Sequence, residues 1–258
     1  MAEIIAICNQ KGGVGKTTTA LNLSSYLAYF GKKTLLVDLD PQANATSGLG
    51  IDYKKLNKTV YHLLIKKGLL KEVLLNTLVF GLDILPSSPD LIGAQVELSF
   101  FENKERRLEE ILALLVPHYQ YIIIDLPPSL GILTINGLVA SEYVLIPIQT
   151  EFFALEGLSQ LVSTIDLIRR NLDKDLKILG ALLTLYDKRN KLDRLVVKHI
   201  IRHFPGYVFN NLIPRNIDLA QAPAFGKPIL LYNPNSTGAK AYRNFTQELI
   251  NLIEKRNF

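Results

Sequence analysis

The sequence of 258 residues has a single cysteine, a single methionine and no tryptophan. One sulfur per chain, Cys8, builds neither a disulfide framework nor a multi-cysteine metal cluster, so a reduced, cytoplasmic setting is expected. No apolar run approaches the roughly 18 residues of a membrane span, so the mean hydropathy of +0.17 must come from buried strands and helices. The first ten residues, MAEIIAICNQ, carry an acid instead of a basic leader region, and their apolar run is too short for a signal core of about 7–15 residues. Ser/Gly linkers, low-complexity stretches and internal repeats are also missing, so one domain covering 1–258 is the simplest count.

Hydrophobic residues make up 48% and charged residues 21%, a composition that supports one large core. The net charge of +5 is unevenly spread: residues 187–258 hold twelve Lys/Arg against five Asp/Glu, whereas residues 1–186 carry a slight excess of acid. The positive charge is therefore C-terminal, which points to an anionic polymer or membrane, with a solvated basic surface as the plain alternative.

Short β-branched runs recur at 4–8, 34–40, 121–128, 143–149, 178–187 and 207–214, with a further strand expected near 82–85. Helix-length stretches separate most of them, and leucine-rich helical patterns lie around 61–75 and 102–116. Nearly continuous apolar strands suit a sheet buried on both faces, and their alternation with helices makes that sheet mainly parallel. Ligands of such α/β sheets gather at the carboxyl ends of the strands. Here those ends carry Asn9 to Thr18, Asp38, Asp40 and Asp125.

Residues 8–19, CNQKGGVGKTTT, nearly complete the phosphate-loop pattern G-x-x-x-x-G-K-[ST], but Gln10 stands where the first glycine belongs. A strand, a glycine loop and a helix starting near Lys16 still converge backbone N–H groups on one point, as phosphate oxygens require. Gly12, Gly13, Val14 and Gly15 form the loop, Lys16 neutralises phosphate charge, and the Thr17 hydroxyl, followed by Thr18, suits Mg²⁺. Asp125 closes an apolar strand and reads as an acid in the Mg²⁺ shell. One of Asp38 and Asp40, expected on one face of their strand, is placed to orient or deprotonate a water. The chemistry implied is ATP or GTP hydrolysis. Lys11, read alone, is a solvated loop lysine.

Residues 11–50, KGGVGKTTTALNLSSYLAYFGKKTLLVDLDPQANATSGLG, resemble the deviant Walker A ATPases of the ParA/Soj partition type. The segments YIIIDLPPSLGILTINGL, ALEGLSQL, NLIPRN and GKPILLYNPNSTGAKAY extend the likeness along nearly the whole chain. The resemblance implies a three-layer P-loop NTPase fold of α/β class, with a mainly parallel, twisted central sheet flanked by helices. It implies ATP and Mg²⁺ as cofactors, with catalytic roles for Lys11, Lys16 and Asp40. Lys11 becomes the signature lysine that reaches the ATP of a second subunit in a sandwich homodimer, and Gly12 must stay small. Asp40 positions the hydrolytic water, Asp38 and Asp125 support Mg²⁺, and Pro214 and Asn216 lie near the adenine. A ParB-type centromere-binding partner, non-specific double-stranded DNA and association with the nucleoid complete the family picture.

The stretch 188–204 reads as an amphipathic helix. Lys191, Arg194, Lys198 and Arg202 line one side, and Leu192, Leu195, Val196, Ile200 and His203 or Phe204 line the other. An all-basic stripe suits phosphate-backbone binding, and by resemblance Arg189 joins it. One departure weakens this expectation: IPRNIDLAQAP carries Asp218 where the family commonly has a basic residue and Gln221 where it has an acid. Two rivals share the scaffold. A MinD-like positioning ATPase would add an amphipathic membrane anchor, but Tyr242, Phe245, Leu249 and Leu252 or Ile253 read as the stripe of a last core helix. The other is a small-molecule enzyme, either an amide ligase or a nitrogenase-type reductase, and the latter needs cysteines that Cys8 alone cannot supply.

Overall fold

A computed structural model describes residues 2–151 and 156–256. The seven strands β1 (Glu3–Ile7), β2 (Thr34–Asp38), β3 (Leu75–Asn76), β4 (Leu82–Leu85), β5 (Tyr121–Asp125), β6 (Tyr143–Gln149) and β7 (Lys177–Thr184) form one sheet. Its order is β3-β4-β2-β5-β1-β6-β7, and every pairing is parallel except that of β3 with β4. The helices are α1 (Lys16–Tyr29), α2 (Asn44–Gly48), α3 (Val60–Leu64), α4 (Leu70–Val73), α5 (Leu91–Glu97) and α6 (Arg107–Ala113). After them come α7 (Ile132–Val139), α8 (Glu156–Leu172), α9 (Lys191–His203), α10 (Ile217–Gln221), α11 (Ile229–Tyr232) and α12 (Thr237–Arg256).

Alternate residues of each strand serve opposite faces, and this period sorts the core into two layers. Ala6, Leu35, Val37, Ile122, Ile124, Val144 and Ile146 pack with Leu108, Leu112, Leu138, Leu161 and Ile165 on one face. Ile5, Ile7, Leu36, Ile123 and Leu145 pack with Leu23 and Leu27 of α1 and with Tyr242, Phe245 and Leu249 of α12 on the other. Each fully buried Leu, Ile or Phe contributes about 1.5–3 kcal/mol of transfer free energy. The resulting helix–sheet–helix sandwich is the expected α/β architecture, and the Tyr242/Phe245/Leu249/Ile253 stripe is buried core, as its spacing implied.

Parallel register brings the functional ends together. Ile7 of β1 pairs with Asp125 of β5, and Asp125 pairs with Asp38 of β2, so the segments leaving three central strands emerge side by side. This is where an open parallel sheet presents its ligand crevice.

Three expectations need correction. Residues 207–214 do not form a strand but make two isolated bridges, Val208 to Ala181 of β7 and Pro214 to Tyr186 just beyond it. Asn210 and Asn211 turn their backbone N–H groups to the Glu248 carboxylate at 2.8 and 3.1 Å, which interrupts any ladder. The helical pattern over 61–75 is split into α3 and α4. Lys66 is left-handed at φ 60°, and the Lys67 N–H returns to the His62 carbonyl at 2.8 Å, closing the helix. In the 102–116 pattern only Arg107–Ala113 is α-helical, flanked by 3-10 turns.

Candidate nucleotide site and basic surface

The loop after β1 is built by its own side chains. Asn9 donates from Nδ2 to the Pro147 carbonyl at 2.7 Å and accepts the Lys11 N–H at 3.0 Å, which starts the turn. Gly13 and Gly15 have φ of 74° and 86°. A Cβ is strained there, so the glycines set the path of the loop. Gly15 also precedes α1 with no side-chain cap, leaving the first-turn N–H groups to an incoming anion. On the outer side, Thr184 Oγ1 donates to the Val14 carbonyl at 2.8 Å and ties the loop to the end of β7.

The two lysines are treated differently. Lys16 is buried, and its Nζ donates to the Lys11 carbonyl at 3.2 Å. Burial lowers its pKa, while the nearby charge of Asp125 works against that shift. Lys11 is exposed at the mouth of the loop, with its ammonium 2.8 Å from Glu151. Among the described residues, nothing lies within 4 Å of where a Cβ would be at Gly12 and Gly13. Val14 is buried, and Thr17 and Thr18 are half-buried on the first turn of α1.

The carboxylates divide the same way. Asp38 Oδ2 accepts from the Thr46 N–H at 2.8 Å and the Thr46 hydroxyl at 2.7 Å, and Oδ1 accepts the Asp40 N–H at 3.1 Å. Burial pushes its pKa up to about 7 in spite of these donors. Asp125 is fully buried, and among the described residues neither of its oxygens has a partner of normal hydrogen-bond geometry. Burial and then the neighbouring Asp38 drive its pKa well up, against the smaller opposing influences of the Thr17 hydroxyl and Lys16. β2 ends at Asp38, so Asp40 does not share a strand face with it. Asp40 instead lies in the following turn, accepting the Gln42 N–H at 2.9 Å while its carbonyl holds Ser87 Oγ at 2.6 Å.

Pro214 bridges to Tyr186, two residues past Thr184. Asn216 caps α10 by accepting the Leu219 N–H at 3.0 Å, and it donates to Thr237 at 3.1 Å. Both therefore sit on a segment anchored beside the end of β7 that holds Val14.

A family model described as "AAA domain" matches residues 2–178. The sporulation initiation inhibitor protein Soj of Bacillus subtilis is 49% identical over 96% of this chain and 98% of its own length. The chain belongs to the Soj/ParA family. The chromosome partitioning protein ParA of Myxococcus xanthus is likewise 49% identical, over 97% of this chain and 88% of its own. Among solved structures, the cobyrinic acid a,c-diamide synthase of Mycobacterium smegmatis with bound ADP and magnesium is 37% identical. It superposes with a TM-score of 0.87 over 98% of this chain and 96% of that one. The residues of this Soj/ParA chain suit such a ligand pair. The uncapped α1 terminus and Lys16 match phosphate, and an unpartnered buried carboxylate beside a threonine hydroxyl matches a hard, oxygen-seeking cation. The segment ALEGLSQL begins outside the described residues, at 154 and 155.

The basic surface of this Soj/ParA member differs in part from its helical pattern. Lys191, Arg194, Lys198 and Arg202 are all exposed along α9. The buried side consists of Asp193, Val196 and Ile200, whereas Leu192 and Leu195 are 45% and 64% exposed beside the basic stripe. Asp193 displaces the leucines because its carboxylate accepts from Thr150 Oγ1 at 3.0 Å, the Asp187 N–H at 2.8 Å and Asn190 Nδ2 at 2.6 Å. Arg189 is 85% exposed and pairs with Asp187 at 2.8 Å. Asp218, in the family's basic position, accepts from Asn233 at 3.3 Å, and Gln221 accepts from the Tyr232 hydroxyl at 3.1 Å. Thr46, Glu151, Thr184 and Asp193 were given no role by the sequence reading because each has a partner distant in sequence: Ser87, Lys11, Val14 and Thr150 respectively.

Proposed function

We propose that this chain is a Mg²⁺-dependent partition ATPase whose ATP state is a sandwich homodimer that binds DNA without sequence preference. Lys16 and the loop N–H groups hold the phosphates, Gly12 leaves room for a second loop, and Thr17 and Asp125 hold the metal. Asp38, fixed by Thr46, stands behind them. When bound, the metal neutralises charge on the phosphate oxygens as the terminal bond breaks. Asp40 orients the attacking water and takes its proton. Pro214 and Asn216 border the base, and the stripe Lys191, Arg194, Lys198 and Arg202, with Arg189, meets the DNA backbone. A ParB-type partner stimulates hydrolysis and releases the DNA, which moves a chromosome or plasmid.

The observation that carries this reading is the contrast between the lysines. Lys16 already occupies the interior of the loop, whereas Lys11 points outward to Glu151 at 2.8 Å, free to exchange one anion for the phosphate of a second subunit. The test is size-exclusion chromatography of Asp40→Ala with ATP and then with ADP, followed by DNA retention of the same fractions. A dimer with ATP alone, retaining DNA only in that state, supports the proposal, and a monomer with both nucleotides refutes it. An amidating ligase would need an acid and a nitrogen donor for turnover, so phosphate release by wild type with ATP, Mg²⁺ and DNA alone separates it from a partition ATPase.

A further inference from the structure

A continuous run of hydrogen bonds joins the phosphate loop to the basic helix. The Val14 carbonyl, inside the loop, accepts from Thr184 Oγ1 at 2.8 Å. The Thr184 carbonyl accepts the Thr150 N–H at 3.3 Å, just past the end of β6. Thr150 Oγ1 in turn donates to the Asp193 carboxylate at 3.0 Å. Asp193 gathers the Asp187 N–H and Asn190 Nδ2, and Asn190 Oδ1 accepts the Leu192 N–H at 3.0 Å, so the same cluster caps α9. Glu151, the chain neighbour of Thr150, holds Lys11.

Asp193 is 6% exposed on a helix that carries Lys191, Arg194, Lys198 and Arg202 on its outer side, alongside the exposed Leu192 and Leu195. Its three donors among the described residues are all neutral, so its buried charge depends on each keeping its place. A small movement of the loop or of the β6 end must therefore either carry the first turn of α9 with it or leave a buried carboxylate short of a donor. Simple packing would serve equally well with an apolar residue here and would transmit no such constraint.

We propose that Asp193 is a positioning residue that makes the basic face of α9 respond to the nucleotide, through Thr150 and Thr184. The proposal rests on the DNA-binding reading above. It adds that the difference in DNA affinity between the ATP and ADP states depends on this cluster as well as on dimerisation.

The experiment measures DNA affinity by fluorescence anisotropy with ATP and with ADP, for wild type, Thr150→Val, Asp193→Asn and Arg194→Glu/Lys198→Glu. Thr150→Val removes one donor and preserves shape, so it folds even if Asp193→Asn does not, as circular dichroism will verify. The expected result is that Thr150→Val retains wild-type ATP hydrolysis and ATP-dependent dimerisation, while its ATP-to-ADP affinity ratio falls at least fivefold. A purely structural role would lower affinity in both states and leave the ratio alone, and that outcome overturns the proposal. Loss of DNA binding by the double charge reversal, with an unchanged ratio in Thr150→Val, also overturns it while leaving the DNA reading intact. A wild type that shows no ATP-dependent DNA affinity removes both.

Discussion

Asp125 and Asp38 are register partners on adjacent parallel strands, yet Thr46 and a backbone amide satisfy Asp38 while Asp125 has no hydrogen-bond partner of normal geometry among the described residues. An uncompensated buried carboxylate costs stability, so Asp125→Asn should stabilise the nucleotide-free protein by roughly 1–3 kcal/mol. The same change should abolish the additional stabilisation given by Mg²⁺ with ATP. Thermal denaturation of both forms, with and without Mg-ATP, checks this. A variant that loses stability without ligand, or that keeps the full Mg-ATP shift, contradicts the assignment.

Thr46 does two jobs with one hydroxyl: it donates to Asp38 at 2.7 Å and accepts the Ser87 N–H at 2.9 Å. Thr46→Val keeps the volume but removes one of the three donors to Asp38, whose two backbone donors remain, and leaves the buried Ser87 N–H without its acceptor, so a loss of about 1–3 kcal/mol is expected. Thr46→Ser should recover most of it. Urea midpoints of the three proteins decide, and a loss in the serine variant with none in the valine variant would mean that packing of the methyl, not the hydroxyl, matters.

Lys11 and Glu151 form a pair whose side chains are 42% and 49% exposed. Such pairs contribute about 0–1 kcal/mol. Lys11→Ala should therefore leave the melting temperature of the nucleotide-free monomer nearly unchanged while removing ATP-dependent dimerisation. Sedimentation velocity with a hydrolysis-resistant ATP analogue measures the second effect. Retained dimerisation in Lys11→Ala would assign the lysine to the surface alone.

The sequence made the central sheet legible because its strands are continuous apolar runs: β4 and β6 fall at 82–85 and 143–149 as their patterns predict. It made the turn between β1 and α1 legible because Gly15, Lys16 and Thr17 stand at a fixed local spacing where α1 begins. It misplaced the buried side of α9 because a helical wheel ranks Leu192 and Leu195 above Asp193, and the donors Thr150, Asp187 and Asn190 reverse that order. For the same reason 207–214 read as a strand: Glu248, 38 residues beyond Asn210, takes the amides that a ladder would have used.

Glu248 provides a pH test of that last contact. Burial raises its pKa, but donors from the Asn210 backbone, the Tyr207 hydroxyl and Asn211 outweigh burial, leaving the folded value below the ordinary 4.5. A depressed carboxylate contributes stability that is fully present above its unfolded pKa and is lost as pH falls through the folded one. The contribution of Glu248 should therefore be intact above about pH 5 and fade below 4.5. Glu248→Gln should cost about 1–2 kcal/mol at pH 7, an amount trimmed by solvent because the side chain is only half-buried. The gap between the two proteins should then close on acidification. Urea midpoints measured from pH 7 to 3 read this directly. A gap that stays constant across the range would mean that the shape of the side chain, not its charge, holds Asn210 and Asn211 away from β7.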